Sequence, residues 1–532
     1  MKKLLLSLFL MSPFFFANAQ SDKLSDIDYF RNQIKVLASD EFGGRKPMSE
    51  YEPITINYIA EQFKEIGLQP AYGDSYFQPV REISTLTRPE KDRLVVKGTK
   101  KTINLIFGED VVVWSHRNAT KVDIKNADIV FAGFGIDDPN YNWNDFEEID
   151  VKGKIVLAMV NDPGYYNPEL FRGKNMTYNG RWCYKLEEAE RKGALGCLVI
   201  HNTAAASYGF QVCRASHMQK NISMVNENDN TDAMGMCGWI AEDAVRNIFK
   251  SCGLDYDKAA DEAKKPGFRS YVLKAKMKAV LNIDAEIGET CNVIGVLPGT
   301  DLKDECVVMT AHWDHFGIGE PVAGDSIYNG ASDNASGVAA IMLQARKFVN
   351  SDFKPRRSLV FAAVTSEEGG LLGSQWYCEH PLFPLSKTAA NINIDGAAPQ
   401  SKTHDIVVRA MGKSDLDDLV RIAASAQGRY LRVMNEDTGG YYYRADHFNF
   451  CKKGVPAVLA GGGNDLIDKT KQDKKTWRNT YHQPTDEYSE DWDLEGSMVN
   501  QNFYHAIIMM IANKDEMPRW TSDSDFQRQK DE

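Results

Sequence analysis

Two histidines and four acidic residues in the C-terminal half each lie where a predicted strand ends, a helix begins or a loop turns. His312 follows the apolar stretch 307–310, Glu367 and Glu368 follow 359–365, and Asp395 follows 389–394. In open α/β sheets the carboxyl edge of the strands is where ligands bind. Asp333 lies in Gly-Ala-Ser-Asp-Asn-Ala-Ser-Gly just before a helical pattern, a position where Asp also serves as a plain helix cap. His482 lies in the loop 479–487, far downstream. Imidazoles and carboxylates with no thiolate among them suit zinc or a similar borderline divalent ion, whereas an all-oxygen set would point to magnesium or calcium. Two imidazoles and three or four carboxylates are too many ligands for one catalytic zinc, which keeps a position for water. Two ions sharing one carboxylate would use them all.

The elements that must carry these residues alternate. Strands are predicted at 293–297, 307–310, 359–365, 389–394 and 457–460, and helices at 336–349, 415–425 and 498–512. This pattern predicts an α/β fold, a mixed sheet flanked by helices. Helical spacing at 26–38 and 51–66 precedes it, the second stretch closing at Gly67. Between them the texture changes to short apolar runs such as 129–132 and 155–158, with one helix at 184–192, read as an inserted, mainly β unit. The expected division is a signal peptide at 1–19, N-terminal helices and the first part of the catalytic unit at 20–95, the insert at 96–281, the catalytic domain at 282–513, and a charged, frayed tail at 514–532.

A chain of 532 residues exceeds what one core organises, so a second unit is required. A net charge of -12 argues against nucleic-acid partners. Lys2 and Lys3, an apolar run over 4–16 and Ala17-Asn18-Ala19 read as a secretory signal, placing the protein in the periplasm or outside the cell. No later stretch is long and apolar enough for a membrane span, so no stable membrane insertion is expected. The nine cysteines are scattered and form no Cys-x-x-Cys pair, and most are expected to be buried small hydrophobes. Oligomeric state leaves no mark in the sequence.

The motifs Thr310-Ala311-His312-Trp313-Asp314-His315, 330–337, Ser366-Glu367-Glu368-Gly369-Gly370, Asn393-Ile394-Asp395-Gly396 and Tyr481-His482-Gln483-Pro484-Thr485-Asp486 stand in one order. Together they resemble the two-zinc aminopeptidase family of metallopeptidases. That family includes bacterial leucyl aminopeptidases, glutamate carboxypeptidases and, more distantly, glutaminyl cyclases. The stretch 37–45 resembles its leading segment, and 133–136, 151–156 and 194–200 resemble a protease-associated domain. The resemblance implies a zinc-dependent exopeptidase fold of the phosphorylase/hydrolase-like kind and two zinc ions. It implies that Asp333 bridges the ions, that His312 and Asp395 complete one site, and that Glu368 and His482 complete the other. Glu367 would be the general base, Tyr481 a donor to the developing oxyanion, and Asp314 the carboxylate that orients His312. The expected substrates are peptides or proteins cleaved at their N-termini.

His315 is expected to line the site rather than to bind metal. In 445–447 the chain reads Ala-Asp-His where the family reads Ser-Asp-His, which puts a pocket role for Asp446 or His447 in doubt. The run Tyr441-Tyr442-Tyr443 either walls the substrate pocket or packs as an aromatic cluster. Within the same architecture the alternative activities are dipeptidase or carboxypeptidase, then glutaminyl cyclase. A non-catalytic binding module should have lost ligands, and none is missing.

Overall fold

The structure is a computed structural model that describes residues 24–528 apart from 92, 410–412, 434–435, 472–479 and 523. The expected signal peptide lies outside these residues. At the centre, Arg357–Val364 and Leu302–His312 run parallel, followed by Thr388–Asn393 and Ala457–Gly462 in the same direction. Tyr271–Leu297 closes one side antiparallel to Arg357–Val364. On the other, Asp405–Val408 pairs antiparallel with Ala457–Gly462 and parallel with Tyr430–Val433. Successive strand residues point to opposite faces. Val307, Met309, Leu359 and Phe361 therefore enter one core with Phe30, Phe63, Val338 and Ile507, while Val308, Val360 and Ala362 enter another with Tyr377 and Phe450. Burial on both faces explains why these strands read as continuous apolar runs.

Helices Asp26–Leu37, Glu52–Ile66, Ser336–Val349 and Glu495–Asn513 cover the first face. Leu372–Glu379 and His447–Lys452 cover the second. The predicted elements of this half all form, with ends shifted by a few residues. The strands Asp405–Val408 and Tyr430–Val433 were not expected. They are four residues each, and the second is largely exposed, so neither carries a long apolar signal.

Residues 94–283 build cores of their own. Lys121–Phe131, Ile155–Met159, Gly196–His201 and Met236–Ala241 lie side by side in parallel, with Val111–Trp114 antiparallel at the edge. Beside these strands the segment carries helices not expected from the sequence, Phe210–His217, Glu242–Ser251 and Tyr256–Ala263, together with the expected one, Trp182–Arg191. Glu242–Ser251 shows why: only Ala244, Val245, Ile248 and Phe249 form its apolar stripe, diluted by charged neighbours. The chain leaves along Phe77–Pro89 and returns along Tyr271–Leu297, its antiparallel partner. One short strand, Asn221–Met224, adds to the free edge of Phe77–Pro89.

The tail does not fray over the residues described. Trp520 Nε1 donates to Gly454 O at 2.9 Å, and Arg528 donates to the carbonyls of Thr388 and Ala389 at 3.0 and 2.7 Å. Asp525 pairs with Arg172, 2.9 Å away, across to the 94–283 segment. Trp520 and Phe526 anchor the strap, two aromatics inside a run whose charges dominate its composition. All nine cysteines are free and most are buried. Among the described residues no helix is long and apolar enough to cross a membrane.

Candidate functional site

The predicted ligands converge at the carboxyl ends of the central strands. Asp333 presents Oδ1 to His312 Nε2 at 3.2 Å and Oδ2 to His482 Nε2 at 3.5 Å. His312 Nε2 also lies 3.6 Å from Asp395 Oδ1, and His482 Nε2 lies 3.2 Å from Glu368 Oε2. A tetrahedral ion with bonds of about 2.0–2.1 Å holds its ligand atoms about 3.3–3.4 Å apart. His482 Nε2 faces two carboxylates, Asp333 and Glu368, from different loops. The donor set thus fits a metal centre. Asp333 does not cap the following helix, which has no side-chain cap. Donor atoms of His312, Glu367 and Asp395, and likewise of His315, Asp333 and Glu368, also cluster within 4.8 Å. His315 is therefore closer to a ligand position than a lining role requires, and its Nδ1 lies 2.9 Å from Glu368 Oε1.

Each ligand loop is tied to another by one buried side chain. Asp314 was expected to orient the imidazole of His312. Its carboxylate instead accepts from the backbone N–H groups of Glu367 and Glu368 at 3.0 and 3.2 Å, and His312 Nδ1 is nearer the Asp314 backbone carbonyl, at 3.2 Å, than the carboxylate, at 3.6 Å. Two amides in a tight turn outcompete one imidazole for a carboxylate whose backbone already serves that ring. Asp486 accepts from Ser332 N and Asp333 N at 3.1 and 3.0 Å, joining the His482 loop to the bridging loop. Asn334 does the same for the Asp395 loop, donating to Ile394 O and accepting from Gly396 N. Arg45 is 1% exposed and donates to Leu37 O, Trp313 O, Asn329 O and Gly330 O, clamping the loops of His312 and Asp333. Asp486, Asn334 and Arg45 lie in motifs quoted above, but sequence gives no sign of which polar motif residues bond to backbone.

The local field follows from the carboxylates. Burial alone would lower the His312 pKa, yet Glu367, Asp314, Asp333 and Asp395 raise it well above the ordinary value. His482 is likewise pushed up to about 10, burial being outweighed by Glu368 and Asp333. Burial and the neighbouring Glu368, Asp395 and Asp446 push Glu367 well above the usual carboxylate range. For Glu368 burial is outweighed by His482 and His315, which hold it at about 2. The two adjacent glutamates are thus shifted in opposite directions. Tyr481 stacks on His482, ring centroids 3.6 Å apart, while the residue stays 41% exposed, and partial burial with the acidic cluster beside it favours the protonated phenol. Because the imidazoles must be unprotonated to bind metal, metal affinity is expected to rise with pH.

Asp446 is fully buried with no hydrogen bond to either oxygen, and burial raises it to about 7 despite the field of His312. His447 faces away, its ring 4.9 Å from Tyr442. Tyr442 and Tyr443 are buried in an aromatic cluster with Phe448, whereas Tyr441 is exposed. An Asp486→Ala variant is expected to weaken metal binding about 10- to 100-fold by freeing the Asp333 loop. Chelator competition would measure it, and unchanged affinity would remove Asp486 from the site.

A mixed α/β sheet that gathers imidazoles and carboxylates at the ends of its parallel strands defines a metal-dependent hydrolase. Residues 292–505 match the family model of Peptidase family M28. Among curated proteins it is 32% identical over 195 residues to a probable glutamate carboxypeptidase, LAMP1, of Arabidopsis thaliana, covering 35% of this chain and 25% of that one. It is 28% identical over 163 residues to aminopeptidase NAALADL1 of Mus musculus, covering 29% and 20%. The matched stretches thus span a quarter or less of these relatives. Among solved structures, an aminopeptidase from Aneurinibacillus sp. strain AM-1 aligns over 96% of this chain and 98% of its own, with a TM-score of 0.47 and 18% identity. The zinc aminopeptidase BSAP from Bacillus subtilis aligns over 94% and 97%, with a TM-score of 0.44 and 19% identity.

Proposed function

We propose that the protein is an exported zinc metallo-exopeptidase, an aminopeptidase that hydrolyses N-terminal peptide bonds. The observation that carries this reading is Asp333, whose two oxygens face two different imidazoles, each accompanied by a further carboxylate. His312 and Asp395 would hold one zinc ion, Glu368 and His482 the other, with Asp333 shared. Bound there, two ions supply a water of lowered pKa and a polarised scissile carbonyl. Glu367, next to the candidate ligand Glu368, takes the proton of the attacking water as oxygen bonds to the carbonyl carbon. It returns that proton to the departing nitrogen as the C–N bond breaks. The Tyr481 phenol donates to the carbonyl oxygen as charge develops on it.

The segment 96–281 is read as a protease-associated domain acting as a lid or substrate-length filter. Its seating supports the role: Met176 N donates to Asp437 O at 2.9 Å, and Tyr178 packs on Phe448 at 4.7 Å, beside the loop that carries Asp446.

One feature favours the carboxypeptidase or dipeptidase alternative. Arg181 of this segment and Arg444 lie close enough to depress the Arg444 pKa, after burial, and each has a buried Nε with no hydrogen bond. Neither forms an ion pair among the described residues, and such a pair suits a carboxylate. The deciding experiment is a substrate profile of the zinc-loaded protein with a chelator control. Cleavage of free but not acetylated N-termini is expected. Release of C-terminal residues from acetylated peptides would establish the alternative, and no chelator-sensitive hydrolysis would overturn both.

A further inference from the structure

Beneath the Glu367–Glu368 turn lies a second acidic group that the mechanism does not use. Glu82 is fully buried in the strand Phe77–Pro89, and its Oε2 accepts from Ser366 Oγ at 2.9 Å. Its other oxygen is buried without a partner. Ser366 immediately precedes Glu367 and has φ of 52°, a left-handed conformation that a serine adopts only when its surroundings hold it there. The hydroxyl also lies 3.3 Å from Thr365 Oγ1, which lies 3.0 Å from Thr290 Oγ1. The turn is therefore gripped twice: Asp314 takes the two glutamate amides, and Glu82 takes the hydroxyl of the strained residue.

The strand that carries Glu82 is also where the inserted segment is attached. Glu82 stands opposite Gly288 on one side and opposite Met224 of Asn221–Met224 on the other. Two residues along that short strand, Ile222 approaches Gly369, a Cβ on which would sit 3.6 Å from the Ile222 Cβ.

Resting on the peptidase reading above, we propose that Glu82 is a positioning residue for the general base: through Ser366 it fixes the left-handed turn that aims Glu367 into the metal site. Burial pushes the Glu82 carboxyl up to about 8, so at neutral pH its protonated form predominates. An uncharged amide of the same shape should replace it.

The experiment compares Glu82→Ala, Glu82→Gln, Ser366→Ala and the Glu82→Ala/Ser366→Ala double variant with the wild-type zinc-loaded chain, reading kcat, KM, zinc content and melting temperature. Glu82→Ala and Ser366→Ala are each expected to lose 10-fold or more in kcat at unchanged KM and zinc content. The double variant should lose no more than either alone, and Glu82→Gln should stay within a few-fold of wild type. Ser366→Ala removes only one oxygen and supplies the test if Glu82→Ala does not fold. Wild-type kcat in either alanine variant, additive losses in the double variant, or equal losses in Gln and Ala would each overturn the proposal. A wild-type chain inactive on every peptide would instead overturn the peptidase reading itself.

Discussion

A Glu367→Gln enzyme is expected to keep its fold and its zinc yet lose about 10²- to 10⁴-fold in kcat, the usual contribution of a general base. Glu367 holds the one carboxylate of the adjacent pair whose pKa lies far above the ordinary range, while Glu368 stays ionised against His482. Glutamine preserves size and leaves the backbone amide bonded to Asp314, so the turn should persist. The loss should fall on kcat and kcat/KM alike, because proton transfer is felt only in the transition state. Metal analysis beside steady-state kinetics checks this. A variant with wild-type turnover, or one that has lost its metal, would show that Glu367 is not the base.

The second large effect concerns stability. Replacing Arg45 by methionine is expected to destabilise the protein by about 3–5 kcal/mol, the range seen when one partner of a buried charged network is removed. The side chain satisfies four carbonyls from three separated stretches, and methionine fills similar space while bonding to none. Each buried acceptor left without a partner costs about 1–3 kcal/mol, and the costs do not add in full. Burial lowers the guanidinium to about 10, still charged at neutral pH, with Asp486 and Asp314 opposing the shift. Urea denaturation with and without zinc would measure the loss. An unchanged midpoint would mean that the carbonyls find other donors.

The cluster of imidazoles and carboxylates was legible because motif residues such as His312 and Asp395 sit at strand ends, and strand ends are visible as the close of an apolar run. The helix Ser336–Val349 could be bounded to the residue for the same reason. The ties between loops were not legible. Nothing local distinguishes Asp486 from Glu487 until Asp333 is brought alongside, 153 positions away in the chain. Asp314 illustrates the converse: its nearness to His312 was visible, but its bonds to the amides of residues 53 and 54 positions away were not. The strap at 514–528 was hidden by composition, since charge counts say nothing about two aromatics among the charges. The helices of the 94–283 segment were lost to narrow apolar stripes.

The excursion that builds that segment begins and ends in one place, Pro89 standing directly opposite Leu281 in the ladder. Closing so long a detour imposes almost no added strain on the sheet, because a hairpin turn and a whole folded unit join the same two ends, and loop-closure entropy grows only slowly with length. The metal-bearing sheet can therefore accept longer, shorter or exchanged excursions at this point without rebuilding its ligand loops.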